Sequence, residues 1–127
     1  MSYKITKQDK YIEVSLLAGA TKWDVIQAVG GLRQRNPLKE FPDVWILDEE
    51  VVIPFSDFEN IMNRSLVEFP KDMHRTPSAI VVQDAFQLEM ARLYVAELAA
   101  VPYEIRVFTN KEEAVAWIQQ YDLIKSK

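Results

Sequence analysis

The residues with the most evident chemistry form a short basic segment. His74, the one histidine, stands between Lys71 and Arg75 in KDMHRTP. An imidazole that titrates near neutrality can act as a general base, and three such groups together can grip an anionic head group. No nucleophile elbow or other catalytic motif accompanies the histidine. A surface loop therefore accounts for it better than catalysis. Lys71, His74 and Arg75 are expected to hold an anionic head group, and no catalytic residue is expected.

Asp48, Glu49 and Glu50, with Asp43 upstream, carry the oxygens that bind Mg²⁺ or Ca²⁺. Consecutive residues of an extended segment point to opposite sides, so these carboxylates do not converge. No EF-hand spacing is present. The stretch reads as a solvated loop, and no metal site is expected. Ser56 precedes Glu59 by three residues, the spacing of a capping box at a helix start. A phosphate there would meet free backbone N–H groups, which makes Ser56 the phosphoacceptor candidate. Cap preference alone also explains it.

Behind Ser56 runs a bulky apolar stripe of Phe55, Phe58, Ile61, Met62, Leu66 and Phe69. A core-facing helix explains the spacing. The aromatic load makes Phe55, Phe58, Ile61, Met62 and Leu66 the candidate lining of an apolar-ligand cavity, or a lid that touches a membrane surface. There is no cysteine, so thiolate chemistry and disulfides are excluded. The three glycines, Gly19, Gly30 and Gly31, do not form a phosphate-cradling loop, and neither Walker nor dinucleotide fingerprints occur. No cofactor is expected.

The elements that must position these residues follow from periodicity. Tyr3 and Ile5, then Ile12, Val14 and Leu16, alternate with polar residues across Gln8-Asp9-Lys10, predicting a β-hairpin that ends at Ala18-Gly19-Ala20. Thr21 stands as N-cap to a helix with Val25, Ile26, Val29 and Leu32 on one face, stopped by Asn36-Pro37. Gly30-Gly31 either ends that helix early or lets a neighbouring backbone come close. Val44-Trp45-Ile46-Leu47 and Ala79-Ile80-Val81-Val82 read as strands buried on both faces. Val51-Val52-Ile53 extends the sheet or approaches the next helix. Asp84 and Gln87 open a long helix whose apolar positions are Phe86, Met90, Leu93, Tyr94 and Leu98.

In the last unit, Tyr103, Ile105 and Val107 share a strand face, and Ala114, Trp117, Ile118 and Tyr121 share a helix face behind an Asn110–Glu113 capping box. The order is ββαβαβαβα. It predicts an α/β fold with a mixed five-stranded sheet, about four helices and right-handed crossovers.

At 127 residues, 49% hydrophobic and 27% charged, the chain is expected to be a single globular domain over 1–127. A net charge of −4 argues against nucleic acid as the partner. The polar start MSYKITKQDK has no apolar h-region and no run spans a bilayer, so a cytoplasmic location is expected.

The segment IRVFTNKEEAVAWI at 105–118, with the hairpin, the VWILD strand and the long helix at 84–100, resembles the SpoIIAA-like branch of the STAS superfamily. The resemblance implies a non-enzymatic domain. Some STAS domains are anti-anti-sigma regulators, switched by phosphorylation of a serine at the start of the helix after the third strand. The SpoIIAA-like branch is also similar to lipid carriers of the CRAL-TRIO type, with an apolar ligand between helices and sheet. The regulatory Asp-Ser/Thr-Ser/Thr-Gly turn is replaced here by Asp48-Glu49-Glu50-Val51, which argues against the phospho-switch. The leading expectation is a non-catalytic binding module for an apolar, lipid-like ligand. The alternative is a protein–protein regulator of the anti-anti-sigma type, and a small enzyme using His74 ranks third.

Overall fold

A computed structural model describes residues 2–54, 57, 71–97 and 102–125. Five strands form one sheet in sequential order: β1 (Tyr3–Lys7), β2 (Ile12–Leu16), β3 (Asp43–Leu47), β4 (Ser78–Val81) and β5 (Ile105–Phe108). β1 and β2 pair antiparallel, and β2 through β5 run parallel. Among the described residues there are three helices: α1 (Lys22–Arg35), α2 (Ala85–Glu97) and α3 (Lys111–Lys125). The α/β class and the mixed five-stranded sheet are as the periodicity predicts. The fourth expected helix, over 55–69, lies outside the described residues apart from Asp57. No described helix is long and apolar enough to cross a membrane.

The pleat divides the sheet residues between two cores. Leu16 and Val25 are buried with Val51 and Ile53, and Trp45, Leu47 and Tyr94 pack on them, so α1 and α2 cover this face. Val44, Ala79 and Val81 point the other way and are closed off by Ala114 and Ile118 of α3. Val44 and Leu47, neighbours in one apolar run, thus belong to different cores, as a strand buried on both faces requires. Burying Ile118 is worth about 1.5–3 kcal/mol. Phe108 and Trp117 meet with ring centroids 5.6 Å apart. The side chain of Tyr121 lies outside those described.

Helix starts follow the local signals. Asp24 takes the Thr21 N–H at 2.8 Å, fixing the entry to α1. Its carboxyl is held below the usual range, chiefly by that hydrogen bond. At α3 the Asn110 carboxamide oxygen accepts the Glu113 N–H at 3.2 Å. Helix α1 runs through Gly30-Gly31 without a break and ends at Asn36, whose N–H bonds the Leu32 carbonyl at 2.8 Å. Gly31 approaches a side chain and not a backbone: a β-carbon there would sit 3.0 Å from Ile5 Cδ1, while Gly30 faces open space.

In α2 the apolar positions are divided, with Met90 and Tyr94 half-buried. Phe86 and Leu93 are exposed, and the inward face carries Gln87 and Ala91. The reason lies in Gln87. Its side-chain oxygen accepts the Gln83 N–H at 2.8 Å, and its NH₂ donates to the carbonyls of Asp48 at 2.8 Å and Val51 at 2.9 Å. Three hydrogen bonds to backbone, one of them to the buried Val51 carbonyl, outweigh burial of an extra phenylalanine, because a buried carbonyl without a partner is costly. The segment 51–53 is not a strand: Val51 and Ile53 are buried and Val52 points outward.

Candidate functional site

The hairpin register sets Lys7 opposite Ile12 and Ile5 opposite Val14. Ile5, Lys7 and Ile12 therefore share the sheet face under α1. At this end α1 terminates and the chain loops through 36–42 into β3. Asn36, nearly buried, clamps that loop: its NH₂ donates to the Phe41 carbonyl at 2.8 Å, and its oxygen accepts the Phe41 N–H at 3.3 Å. The Asn36 carbonyl accepts the Lys39 N–H at 3.0 Å. Lys39 takes a left-handed conformation at φ 50°, which turns its side chain back into the protein.

Between these elements lies an open groove of about 480 Å³, lined by Ile5, Lys7, Ile12, Arg35 and Phe41. Its floor is aliphatic and one wall is an aromatic ring. Lys7 Nζ lies 4.0 Å from the Phe41 ring centroid and donates to the carbonyls of Gln8 at 2.6 Å and Asp9 at 3.3 Å. Arg35, in the last turn of α1, is exposed. Its guanidinium makes no hydrogen bond or ion pair among the described residues.

Behind the 36–42 loop sits a buried polar cluster. Lys39 Nζ pairs with Asp43 Oδ2 at 2.8 Å and donates to Ser78 Oγ at 3.1 Å, 4.2 Å from the Tyr103 ring centroid. Trp45 Nε1 donates to Asp43 Oδ1 at 3.0 Å, and the Thr76 hydroxyl donates to the Lys39 carbonyl at 2.7 Å. Burial, then the Asp43 charge, pushes the Tyr94 hydroxyl up to about 12. The same two causes raise Tyr103. The cluster lies at the N-terminal ends of β3 and β4, and it anchors the loop that carries Phe41.

Of the residues singled out in the sequence, Phe55, Ser56, Phe58, Ile61, Met62 and Leu66 lie outside the described residues. Lys71, His74 and Arg75 are exposed in the loop before β4, and the His74 N–H bonds the Leu38 carbonyl at 2.8 Å. None of the three lines the groove. The His74 imidazole makes no hydrogen bond or ion pair among the described residues. Asp48, Glu49 and Glu50 form an exposed turn: Asp48 Oδ1 accepts the Glu50 N–H at 2.9 Å, and the Asp48 carbonyl accepts the Val51 N–H at 3.0 Å. No three histidine or carboxylate side chains gather to hold a metal among the described residues.

Sequence reasoning missed the groove. Ile5, Lys7 and Ile12 are visible as hairpin residues, but Arg35 and Phe41 reach them only through tertiary folding. The one available signal is Gly31 of the Gly30-Gly31 pair, which lets α1 lie close over Ile5.

No family model matches the chain, and no curated protein matches it. Among solved structures it is similar to an uncharacterised protein of the DUF3478 family from Shewanella loihica PV-4, described as having a SpoIIAA-like fold. The two share 17% identity over 91% of each chain, with a TM-score of 0.53. With the hairpin, the parallel strands and the closing strand–helix unit, this shows that the chain has a SpoIIAA-like fold.

Proposed function

We propose that the domain is a non-catalytic binding module whose ligand is an apolar, lipid-like small molecule seated between α1, the hairpin and the 36–42 loop. The groove carries this reading: about 480 Å³ over Ile5, Ile12 and Phe41, within the roughly 300–1,000 Å³ of small-molecule sites. Its wall is pre-organised, since Asn36 clamps Phe41 and Lys39 anchors the loop from behind. A site that exists before the ligand arrives spends less binding energy on ordering. A SpoIIAA-like fold suits a binding or regulatory module by analogy.

Native mass spectrometry of gently purified protein tests the proposal. The expected result is a co-purified apolar molecule that disappears in Phe41→Ser, a change at a partly exposed position. Undiminished occupancy in that variant rules out this seat, and absence of any such molecule under several extraction conditions favours the second reading.

That second reading is a protein–protein regulator. It is favoured by Leu17, Trp23, Val52 and Phe86, which are 43–60% exposed around the C-terminal ends of β2, β3 and β4. Parallel sheets place binding sites at this end. The exposed carboxylates of Asp48, Glu49 and Glu50 beside them suit a partner with basic side chains. A photo-crosslinking residue at Val52 should give one discrete adduct in cells that Glu49→Lys/Glu50→Lys abolishes. Equal labelling from a probe at Lys10, on the hairpin turn, counts against it.

A further inference from the structure

We infer that the groove selects a single-chain monocarboxylate, with Arg35 as the residue that reads the head group. The inference rests on the ligand-binding reading above and adds the chemistry of the ligand. The apolar lining consists of two isoleucine side chains and one phenylalanine ring. Ile12 is buried, so the surface on offer is chiefly that of Ile5 and the Phe41 ring, which suits one short acyl or aryl chain and is too little for a two-chain lipid.

The two cations at the groove are not equivalent. Lys7 is already committed: its ammonium is held by the Gln8 and Asp9 carbonyls and lies over the Phe41 ring. It closes the groove along one side and contributes charge without a free donor fork. Arg35 lines the same groove, is exposed, and makes no hydrogen bond or ion pair among the described residues. A guanidinium presents two parallel N–H donors that match the two oxygens of a carboxylate, and such charge-assisted pairs are the strong ones.

The carboxylates at this end do not occupy that fork. Asp9 and Glu40 are exposed and neither pairs with Arg35. Asp43 is turned inward onto Lys39 and Trp45. The groove therefore offers an apolar floor, a fixed aromatic wall and, at its edge, one planar cation that no described side chain engages. An apolar body ending in a carboxylate meets all three features at once.

The test uses three probes with the same body: decanoate, decanol and decyltrimethylammonium, titrated below their micelle concentrations and followed by amide chemical shifts. Decanoate is expected to shift Ile5, Ile12 and Phe41 and to bind at least about tenfold more tightly than decanol, as one charge-assisted pair allows. Decyltrimethylammonium should bind more weakly than decanol. In Arg35→Gln, decanoate should fall to the level of decanol while decanol itself is unchanged. Lys7→Gln should keep most of the preference. Equal binding of decanoate and decanol, or a preference that survives Arg35→Gln, overturns the head-group assignment and leaves the apolar groove standing. No binding of any probe at about 1 mM, or shifts confined to other parts of the fold, overturns both. Both variants change exposed side chains, so loss of folding does not confuse the outcome.

Discussion

Lys39 and Asp43 form an ion pair of 2.8 Å in which the side chains are only 9% and 4% exposed. A pair this deep is strongly asymmetric in its energetics. Removing one partner leaves a charge without solvent or counter-ion, at a cost of about 3–5 kcal/mol, whereas replacing both with apolar residues is often close to neutral. Lys39→Met should therefore lower unfolding free energy by about that amount in urea titration. Lys39→Met/Asp43→Leu should recover part of it. Recovery stays incomplete because Trp45 Nε1 and Ser78 Oγ lose their partners.

The same cluster predicts a loss of stability in alkali. Tyr94 titrates near 10.0 when unfolded and about 12 in the folded protein, because burial and the Asp43 charge disfavour its phenolate. A raised folded-state value means that the fold prefers the protonated ring. Its contribution is complete below pH 10 and declines as pH climbs toward 12. The melting temperature should fall steeply across that window, with part of the tyrosinate absorbance appearing only together with unfolding. Tyr94→Phe should make the fall shallower. A melting temperature that stays level to pH 12 would contradict the burial of this hydroxyl.

Much of the fold was legible because it rests on local periodicity. The hairpin alternates, the parallel strands are short apolar runs, and Asn110 and Thr21 mark helix starts. The inward face of α2 was not legible, since Gln87 turns in to serve carbonyls 36 and 39 residues away. Hydrophobic pattern weighs side chains by polarity and does not register backbone groups that need a donor. The groove was hidden for a related reason: Arg35 and Phe41 meet Ile5 through the crossing of α1 over the hairpin, a tertiary relation without a sequence period. The aromatic stripe of 55–69 lies outside the described residues apart from Asp57, and the groove is lined by different side chains.

The paired glycines of α1 offer an internal comparison. Both lie inside the helix, where glycine costs about 0.5–1 kcal/mol relative to alanine. A β-carbon at position 30 meets nothing within 4 Å, so Gly30→Ala should gain most of that amount. At position 31 it would stand 3.0 Å from Ile5 Cδ1, so the side chain must give way and the gain should largely vanish. Thermal melts of the two variants should differ by several degrees, with Gly30→Ala the higher. Because Ile5 lines the groove, Gly31→Ala should also alter probe binding there, and Gly30→Ala should not.

Gln87 holds distant segments together through one side chain. It is 3% exposed and bridges the start of α2 to the turn after β3. Gln87→Leu keeps the volume and removes every polar contact. The carbonyls of Asp48 and Val51 and the Gln83 N–H then lose this partner, and each buried group left unpaired costs about 1–3 kcal/mol. Asp48 and Gln83 are exposed and can turn to water, whereas Val51 is buried. The net loss should therefore be about 2–3 kcal/mol, dominated by the Val51 carbonyl. Hydrogen exchange separates this from general weakening. The Val51 N–H, bonded to the Asp48 carbonyl at 3.0 Å, should lose protection well beyond the global change, while the Ala114 N–H at the start of α3 should follow the global change alone. Equal losses at both amides would mean that Gln87 supports the core as a whole and does not specifically hold the turn.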